Sequence, residues 1–263
     1  MNEGILYLAC GFTYYEQALY SVKSLRRHMP DINVTLACDY DYASNDPSSI
    51  VNGRPCFDQF IHIDHDSERP YRSKSRIMSR SPYEKTIYLD CDTVVLDNFS
   101  EIFKCLDIFD CGASLNVHRG PVYKYGDIQC LATFNSSTFA YRKSDVMGRV
   151  FADFQEQFDA AASENPRVGD QEILSYCIIR NGAKFWVLPE EYNFHLMHMG
   201  RAFGGIKIPT SHEQSAKDAA AALNSSLAER VWVPLDQTLI VDTYFDVYFG
   251  KAIDRNIVKT KIV

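Results

Sequence analysis

The sequence has no long apolar run, no surplus of positive charge and no paired-cysteine spacing, and each absence removes a class of protein. No stretch reaches the roughly 20 apolar residues of a membrane helix. Lysine and arginine number 27 against 34 acidic residues, and the resulting net charge of −7 argues against non-specific nucleic-acid binding as the main role. None of the eight cysteines falls in a Cys-x-x-Cys pair, and Cys10, Cys38 and Cys91 lie inside apolar runs, where a thiol acts as a small hydrophobe. Reduced core thiols in a reducing, cytoplasmic compartment are therefore expected. Met1-Asn-Glu-Gly-Ile5 lacks the basic start of a secretory signal. Glycine is scarce where a phosphate loop would need it, since Gly11-Phe-Thr-Tyr-Tyr15 has only one. No repeat or low-complexity segment is present.

What is there is an ordinary globular composition, 46% hydrophobic and 23% charged over 263 residues, which fits one large domain or a domain with a small lobe. Ile5–Cys10 reads as a strand, Tyr15–His28 as a helix by the spacing of Ala18, Leu19, Val22 and Leu25, and Asn33–Cys38 as a second strand closing on Asp39. This strand–helix–strand opening predicts an α/β sheet. Residues 41–58 read as a loop, Phe60–Ile63 as a short strand, Tyr71–Ser79 and Phe99–Leu106 as helices, and Ile108–Leu115 as a strand. A loop over 116–130 has the length of an active-site lid. Leu131–Arg142 reads as a strand or hairpin, followed by a helix capped by Ser144 or Asp145 that runs to about Ala162. A second helix opens at Gly169-Asp170-Gln171 and stops at Asn181-Gly182. Lys184–Leu188 and Gly204–His212 read as strands, and Ala216–Arg230 as a helix.

One stretch organises the rest. Ile87–Leu89 is a buried-strand pattern that runs into Asp90-Cys91-Asp92 and then a second apolar run, Val94–Leu96. Aspartates are costly to bury without partners. Residues i and i+2 of a strand share a face, so Asp90 and Asp92 are placed to converge on one ion, and all-oxygen ligation suits Mn2+ or Mg2+. Lys74, Arg76 and Arg80 lie upstream, and a basic helix leading into an acidic strand end suits a metal-bound diphosphate. A strand cap that begins a turn is the simpler alternative for the triplet.

Four blocks, taken in order, resemble the GT-A-fold glycosyltransferases of family 8, the glycogenin and bacterial galactosyltransferase type. They are the first strand with Tyr14 and a helix ending Ser24-Leu25-Arg26; Lys74, sixteen residues before Asp90, with Ser81-Pro82-Tyr83 between; Tyr88-Leu89-Asp90-Cys91-Asp92-Thr93; and Phe134-Asn135-Ser136, then Asp170-Gln171, then Leu188-Pro189 with Tyr192-Asn193. The resemblance implies a GT-A-like, Rossmann-like, mostly parallel twisted sheet with helices on both faces. One catalytic domain over 1–230 is expected, and 231–263, with Trp232, Tyr244, Phe245, Tyr248 and Phe249, reads as an aromatic extension packed on it.

The resemblance also implies the site. Asp90 and Asp92 would hold Mn2+ (or Mg2+) on the donor diphosphate. The family's third ligand is a histidine near the end of the fold, which gives that place to His212, although the family's following glycine and Lys-Pro-Trp are reduced here to Lys217. His65, His195 and His198 stay open as rivals. Cys10, Tyr14, Asp39, Lys74, Asp90 and Cys91 are expected around the nucleotide, with Lys74 adding positive charge at the diphosphate. Asn135, Asp170 and Gln171 are expected at the sugar. Asn135 as a turn residue, Asp170 as a helix cap and Tyr14 as core are the structural alternatives.

The function so implied is metal-dependent transfer of a sugar from a nucleotide-sugar, a UDP-sugar, to a glycan or other hydroxyl acceptor, with retention. The alternatives are a nucleotidyltransferase acting on a sugar phosphate, which would want a glycine-rich loop, and a non-catalytic nucleotide-sugar-binding module. Lys251, Arg255, Lys259 and Lys261 stand against Asp254 alone near the carboxyl end, a candidate peripheral contact with anionic membrane lipid or an acidic acceptor. A solvated chain end is the plainer alternative.

Overall fold

A computed structural model of the chain describes residues 2–39, 46, 49–51, 53–64, 72–116, 122–125, 127–128, 130–165, 168–198, 200–211, 224 and 230–232. The opening is β1 (Glu3–Ala9), α1 (Phe12–His28) and β2 (Asn33–Cys38). A two-residue hairpin, β3 (Ile50–Val51) and β4 (Arg54–Pro55), turns on Gly53 at φ 77° inside the stretch that reads as loop. There follow β5 (Gln59–His62), α2 (Arg72–Ile77) with a 3-10 turn at Met78–Arg80, β6 (Lys85–Leu89), the short α3 (Ile102–Cys105), β7 (Cys111–Leu115) and β8 (Phe134–Arg142). The second half holds α4 (Asp145–Glu164), α5 (Asp170–Arg180), β9 (Phe185–Val187) and a 3-10 turn at Glu190–Tyr192. Four short strands close the description: β10 (Phe194–His195), β11 (Gly200–Ala202), β12 (Pro209–Thr210) and β13 (Arg230–Trp232).

Seven strands form one sheet in the order β5-β2-β1-β6-β8-β7-β9. All are parallel except β8, which runs against both its neighbours. The strands are apolar at successive positions because both faces are covered. Ile5, Tyr7 and Ala9 of β1, Val34, Leu36 and Cys38 of β2, and Ile87 and Leu89 of β6 pack with α1, Phe99, Ile102 and Phe103 on one face. Leu6, Ala37 and Tyr88 face the other way, into a core built with Phe151, Phe154 and Phe158 of α4 and Ile173, Leu174 and Cys177 of α5. Ser144 caps α4 by accepting from the Met147 amide at 3.2 Å. Gly182, at φ 64°, ends the turn after α5, where a side chain would be strained.

All eight cysteines are free thiols. Among the described residues no helix is long and apolar enough to cross a membrane. The strand expected over 204–212 reduces to Pro209–Thr210. Its upstream part lies beside the run after the aspartates, with Leu96 N donating to Lys207 O at 2.9 Å and Val94 N to Pro209 O at 2.9 Å, and Asn224 brackets Ile206 through both backbone groups. The helix expected over 216–230, apart from Asn224 and Arg230, and the extension from 231, apart from Val231 and Trp232, lie outside the described residues, as does the basic carboxyl end. Of the expected lid, 117–121, 126 and 129 lie outside them too.

Asp110 staples the far end of the sheet. Its carboxylate accepts from Arg142 Nε and Nη2 at 3.1 and 2.8 Å and from the Lys184 amide at 2.9 Å, so it ties β7 to β8 and to the start of β9. Burial raises its pKa, but the Lys184 amide and the Arg142 guanidinium outweigh burial and hold it below the usual carboxylate range. A depressed carboxylate contributes stability above its unfolded pKa, near 3.9, and loses it as pH falls through the folded value. Asp110→Ala is expected to cost roughly 3 kcal/mol at neutral pH. The gap from the parent closes as pH is lowered below about 4, measured by urea unfolding across pH.

Candidate active site

β6 ends at Leu89, and Asp90 to Thr93 form a turn closed by Thr93 N to Asp90 O at 3.3 Å and by Thr93 Oγ1 to the same oxygen at 2.8 Å. The two aspartates therefore come together as first and third residues of a turn, not as neighbours on one strand face. A buried relay fixes this turn. Thr93 gives its only hydroxyl proton to Asp90 O, so Ser21 Oγ, 2.9 Å away, donates to Thr93, and Tyr7 OH at 3.0 Å donates to Ser21. One turn along α1, Ser24 Oγ accepts the Val95 amide at 2.8 Å. On the other side Asp90 N donates to Ser137 O at 2.8 Å, and Asp92 O accepts from Ser211 N at 3.1 Å. The turn is thus held by α1, β8 and the segment after β12.

β8 departs from regular pairing beside it. Ala113 pairs with Phe139 and Leu115 with Phe134, so two steps on β7 face five on β8. The three extra residues re-aim Asn135, Ser136 and Ser137 at the carboxyl end of β6, the usual use of a bulge beside a site. Ser136 Oγ accepts from Lys74 Nζ at 2.8 Å and donates to Asp170 Oδ2 at 2.7 Å. Lys74, on α2, also lies 3.1 Å from Asp90 Oδ1 and 3.0 Å from Asp170 Oδ2, and 4.8 Å from the centre of the Tyr88 ring. Tyr88 OH donates to Asp90 Oδ1 at 2.8 Å. Lys74 is almost fully buried, and only carboxylates on both sides make that tolerable.

Asp170 is the first residue of α5, after Gly169, and its carboxylate turns inward to Lys74 and Ser136. Burial pushes its pKa up, but the Lys74 charge and the Ser136 hydrogen bond overcome that and hold it below the ordinary range. Asp90 goes the other way. Burial raises it, Lys74 pulls it down, and the nearby charges of Asp92 and Asp170 raise it again, leaving it above the ordinary range. Two carboxylates therefore share one ammonium, and Asp92 adds a third negative charge beside Asp90. That surplus, and an all-oxygen donor set, fit a hard divalent cation at Asp90 and Asp92. The Asp90 side chain is 29% exposed, which leaves a cation a way in. Among the described residues no group of three His, Cys, Asp or Glu side chains closes on one point. His212 and Lys217 lie outside the described residues, one and six positions beyond Ser211, and His65 lies outside them too.

Asn135 is used at both ends of its amide. Its Oδ1 accepts the Ser137 amide at 2.9 Å, which fixes which end is oxygen, and its Nδ2 then donates to His195 Nε2 at 2.6 Å. That contact requires the unprotonated Nε2 of His195. His198 lies with its ring 5.6 Å away. Gln171 reaches the same bulge, its Oε1 3.4 Å from Ser136 N. The sequence named Asn135, Asp170, Gln171, Lys74 and Asp90 separately, and the structure brings all five to one place.

The remaining nucleotide-site candidates lie at the ends of β1, β2 and β6. Asp39 accepts the Gly11 amide at 2.9 and 3.1 Å through its two oxygens, holding the turn into α1, where Gly11 has φ 85°. Tyr14 is half exposed on the first turn of α1, and Cys10 is buried. The Cys91 thiol points into the core and donates to Leu8 O at 3.0 Å. Sequence reading did not assign roles to Tyr88, Ser136, Ser21 or Ser24. For Tyr88 the signal was present, since two residues before Asp90 in a strand means the same face. Ser136 is one of three consecutive small polar residues, and only the bulge distinguishes it.

No protein-family model matches the sequence, and no curated protein matches it. Solved structures do. Mouse xyloside xylosyltransferase 1 in its apo form superposes with a TM-score of 0.57 at 15% identity, over 81% of this chain and 98% of that one. The galactosyltransferase LgtC, in complex with donor and acceptor sugar analogues, gives 0.54 at 15%, over 73% and 75%. The glycosyltransferase GlyE of Streptococcus pneumoniae TIGR4 gives 0.54 at 17%, over 74% of this chain. This chain spans 47% of the length of GlyE. The likeness is one of fold: the chain has the GT-A fold, with a seven-stranded, mostly parallel sheet.

The charge arrangement makes Lys74 a test of the site's energetics. Lys74→Met leaves Asp90 and Asp170 facing each other without a counter-charge, at an expected cost of roughly 3–5 kcal/mol near neutral pH. Both carboxyls would then titrate above their unfolded value, so the penalty is full at high pH and is relieved as protons bind. Urea unfolding should show the gap from the parent narrowing as pH is lowered from about 8 to about 5.

Proposed function

We propose that this protein is a metal-dependent glycosyltransferase that moves a sugar from a nucleotide-sugar, a UDP-sugar, to a hydroxyl acceptor. The observation that carries the reading is the joining, within a GT-A fold, of the Asp90–Asp92 turn to Asp170, Asn135 and Gln171 through one buried lysine. These groups stand at the carboxyl ends of the parallel strands, where open α/β sheets bind ligands.

Asp90 and Asp92, with His212 as the proposed third ligand, would hold Mn2+ or Mg2+, which supplies Lewis-acid stabilisation of the departing diphosphate. The residues of the chain do the rest. Tyr14 and the turn at Gly11, closed by Asp39, offer a surface for the base. Asp170 and Gln171, at the first turn of α5, would bind and orient the donor sugar. Asn135 bridges the β8 bulge to His195 and so joins the sugar side to β10. Lys74 balances the carboxylates on both sides, so each stays ionised and aimed. LgtC holds donor and acceptor sugar analogues, which supports a two-sugar arrangement here. Retention at the anomeric carbon is part of the proposal and rests on the family resemblance of the four sequence blocks.

Incubation with UDP-sugars and Mn2+ tests the reading. A transferase slowly releases UDP and free sugar without an acceptor, a nucleotidyltransferase acting on a sugar phosphate makes or uses pyrophosphate, and a binding module does neither. Asp92→Asn keeps the side chain's shape and removes a charge from the cation site. Transfer should be lost and Mn2+-dependent UDP binding weakened at least about tenfold, with the melting temperature kept. Parent-like binding of Mn2+ and UDP by this variant would refute the metal assignment.

A further inference from the structure

The cluster around Lys74 contains two hydroxyls whose placement exceeds what burying them requires. Tyr88 is 2% exposed and its ring lies against the Lys74 ammonium, yet its OH is spent on one atom, Asp90 Oδ1. That oxygen also takes the shorter Lys74 contact, 3.1 Å against 3.4 Å to Oδ2. Asp170 shows the same pattern, with Oδ2 taking both Ser136 at 2.7 Å and Lys74 at 3.0 Å. In each carboxylate one oxygen is held by an ammonium and a hydroxyl together. Two donors on one oxygen restrain the rotation of each carboxylate, and for Asp90 the Lys74 contact to Oδ2 at 3.4 Å adds to that restraint. Ser136 can serve because a hydroxyl accepts from Lys74 and donates to Asp170 at once, and the β8 bulge alone brings it between them.

We propose that Tyr88 and Ser136 are positioning residues for the transfer reaction, Tyr88 presenting Asp90 to the divalent cation and Ser136 presenting Asp170 to the donor sugar, with Lys74 as their common counter-ion. This rests on the glycosyltransferase reading. It divides the site into a cation half and a sugar half that share a lysine but answer to different hydroxyls. Groups that orient metal ligands from behind change metal affinity by about 10–100-fold when removed. Groups that orient a reacting centre change turnover.

The experiment measures Mn2+ binding directly, by the loss of the free-ion paramagnetic resonance signal in the presence of UDP, alongside kcat and KM with a UDP-sugar. Tyr88→Phe keeps the ring against Lys74 and removes only the OH. It should weaken Mn2+ binding about tenfold at an essentially unchanged melting temperature. Ser136→Ala should leave Mn2+ binding within about twofold of the parent and lower kcat about ten- to a hundredfold, and Ser136→Thr, which restores a hydroxyl, should recover most of it. Tyr88→Phe binding Mn2+ like the parent overturns the cation half. Ser136→Ala and Ser136→Thr losing kcat equally, or Ser136→Ala losing Mn2+ as Tyr88→Phe does, overturns the division. A parent protein that takes up no Mn2+ with UDP instead refutes the functional reading beneath it.

Discussion

The site depends on one ammonium shared between two carboxylates. Lys74 could not be buried where it is without Asp90 and Asp170, and they could not both be ionised so close together without it. Three separate elements meet at this point: α2 brings the lysine, the end of β6 brings Asp90, and the first residue of α5 brings Asp170. Their relative positions are therefore fixed by charge as well as by packing. The single positive charge still leaves the cluster with net negative charge, and this is why it suits a divalent cation.

Around that point the fold supplies rigid supports rather than flexible ones. The aspartate turn is anchored from below by a hydroxyl relay through α1 and from the side by β8. Among the described strands of the main sheet β8 alone runs against both its neighbours, and its bulge is what carries serine and asparagine to the strand ends. A regular strand at 134–139 would have kept Ser136 in register with β7. Strand reversal and bulge together bring Ser136 to Lys74 and Asp170 at the carboxyl end of β6.

Asn135 and His195 show how local chemistry settles an ambiguity. The Ser137 amide fixes the asparagine oxygen, the asparagine nitrogen then selects the unprotonated Nε2 of the histidine, and β10 is thereby tied to the bulge. The sequence offered His195 as a rival metal ligand. Its Nε2 is instead engaged by Asn135. His212 lies outside the described residues.

The sheet was legible in the sequence because its strands are buried on both faces. Runs such as Ile5–Cys10 and Asn33–Cys38 admit little else, and the spacing of α1 and the caps of α4 are local chemistry. The Asp90–Asp92 pair was legible for the same reason, since two carboxylates ending a buried strand demand an explanation. Its geometry was not, because the strand ends one residue early and a turn brings the pair together. The strand read over 204–212 shortens to Pro209–Thr210, which pairs with Phe194–His195, while Lys207 and Pro209 accept from the amides of Leu96 and Val94. The partners of Lys74 were beyond the sequence. A lysine sixteen positions before an aspartate fits a phosphate contact as well as an internal ion pair. Only the packing of α2 and α5 on α4, together with the bulged β8, decides that its ammonium meets Asp170 and Ser136 as well as Asp90. Residue types and periodicity determined which elements form and where acid is stored at a strand end. Long-range packing decided which charges face each other, because contacts across 62 and 96 positions of chain have no local signature.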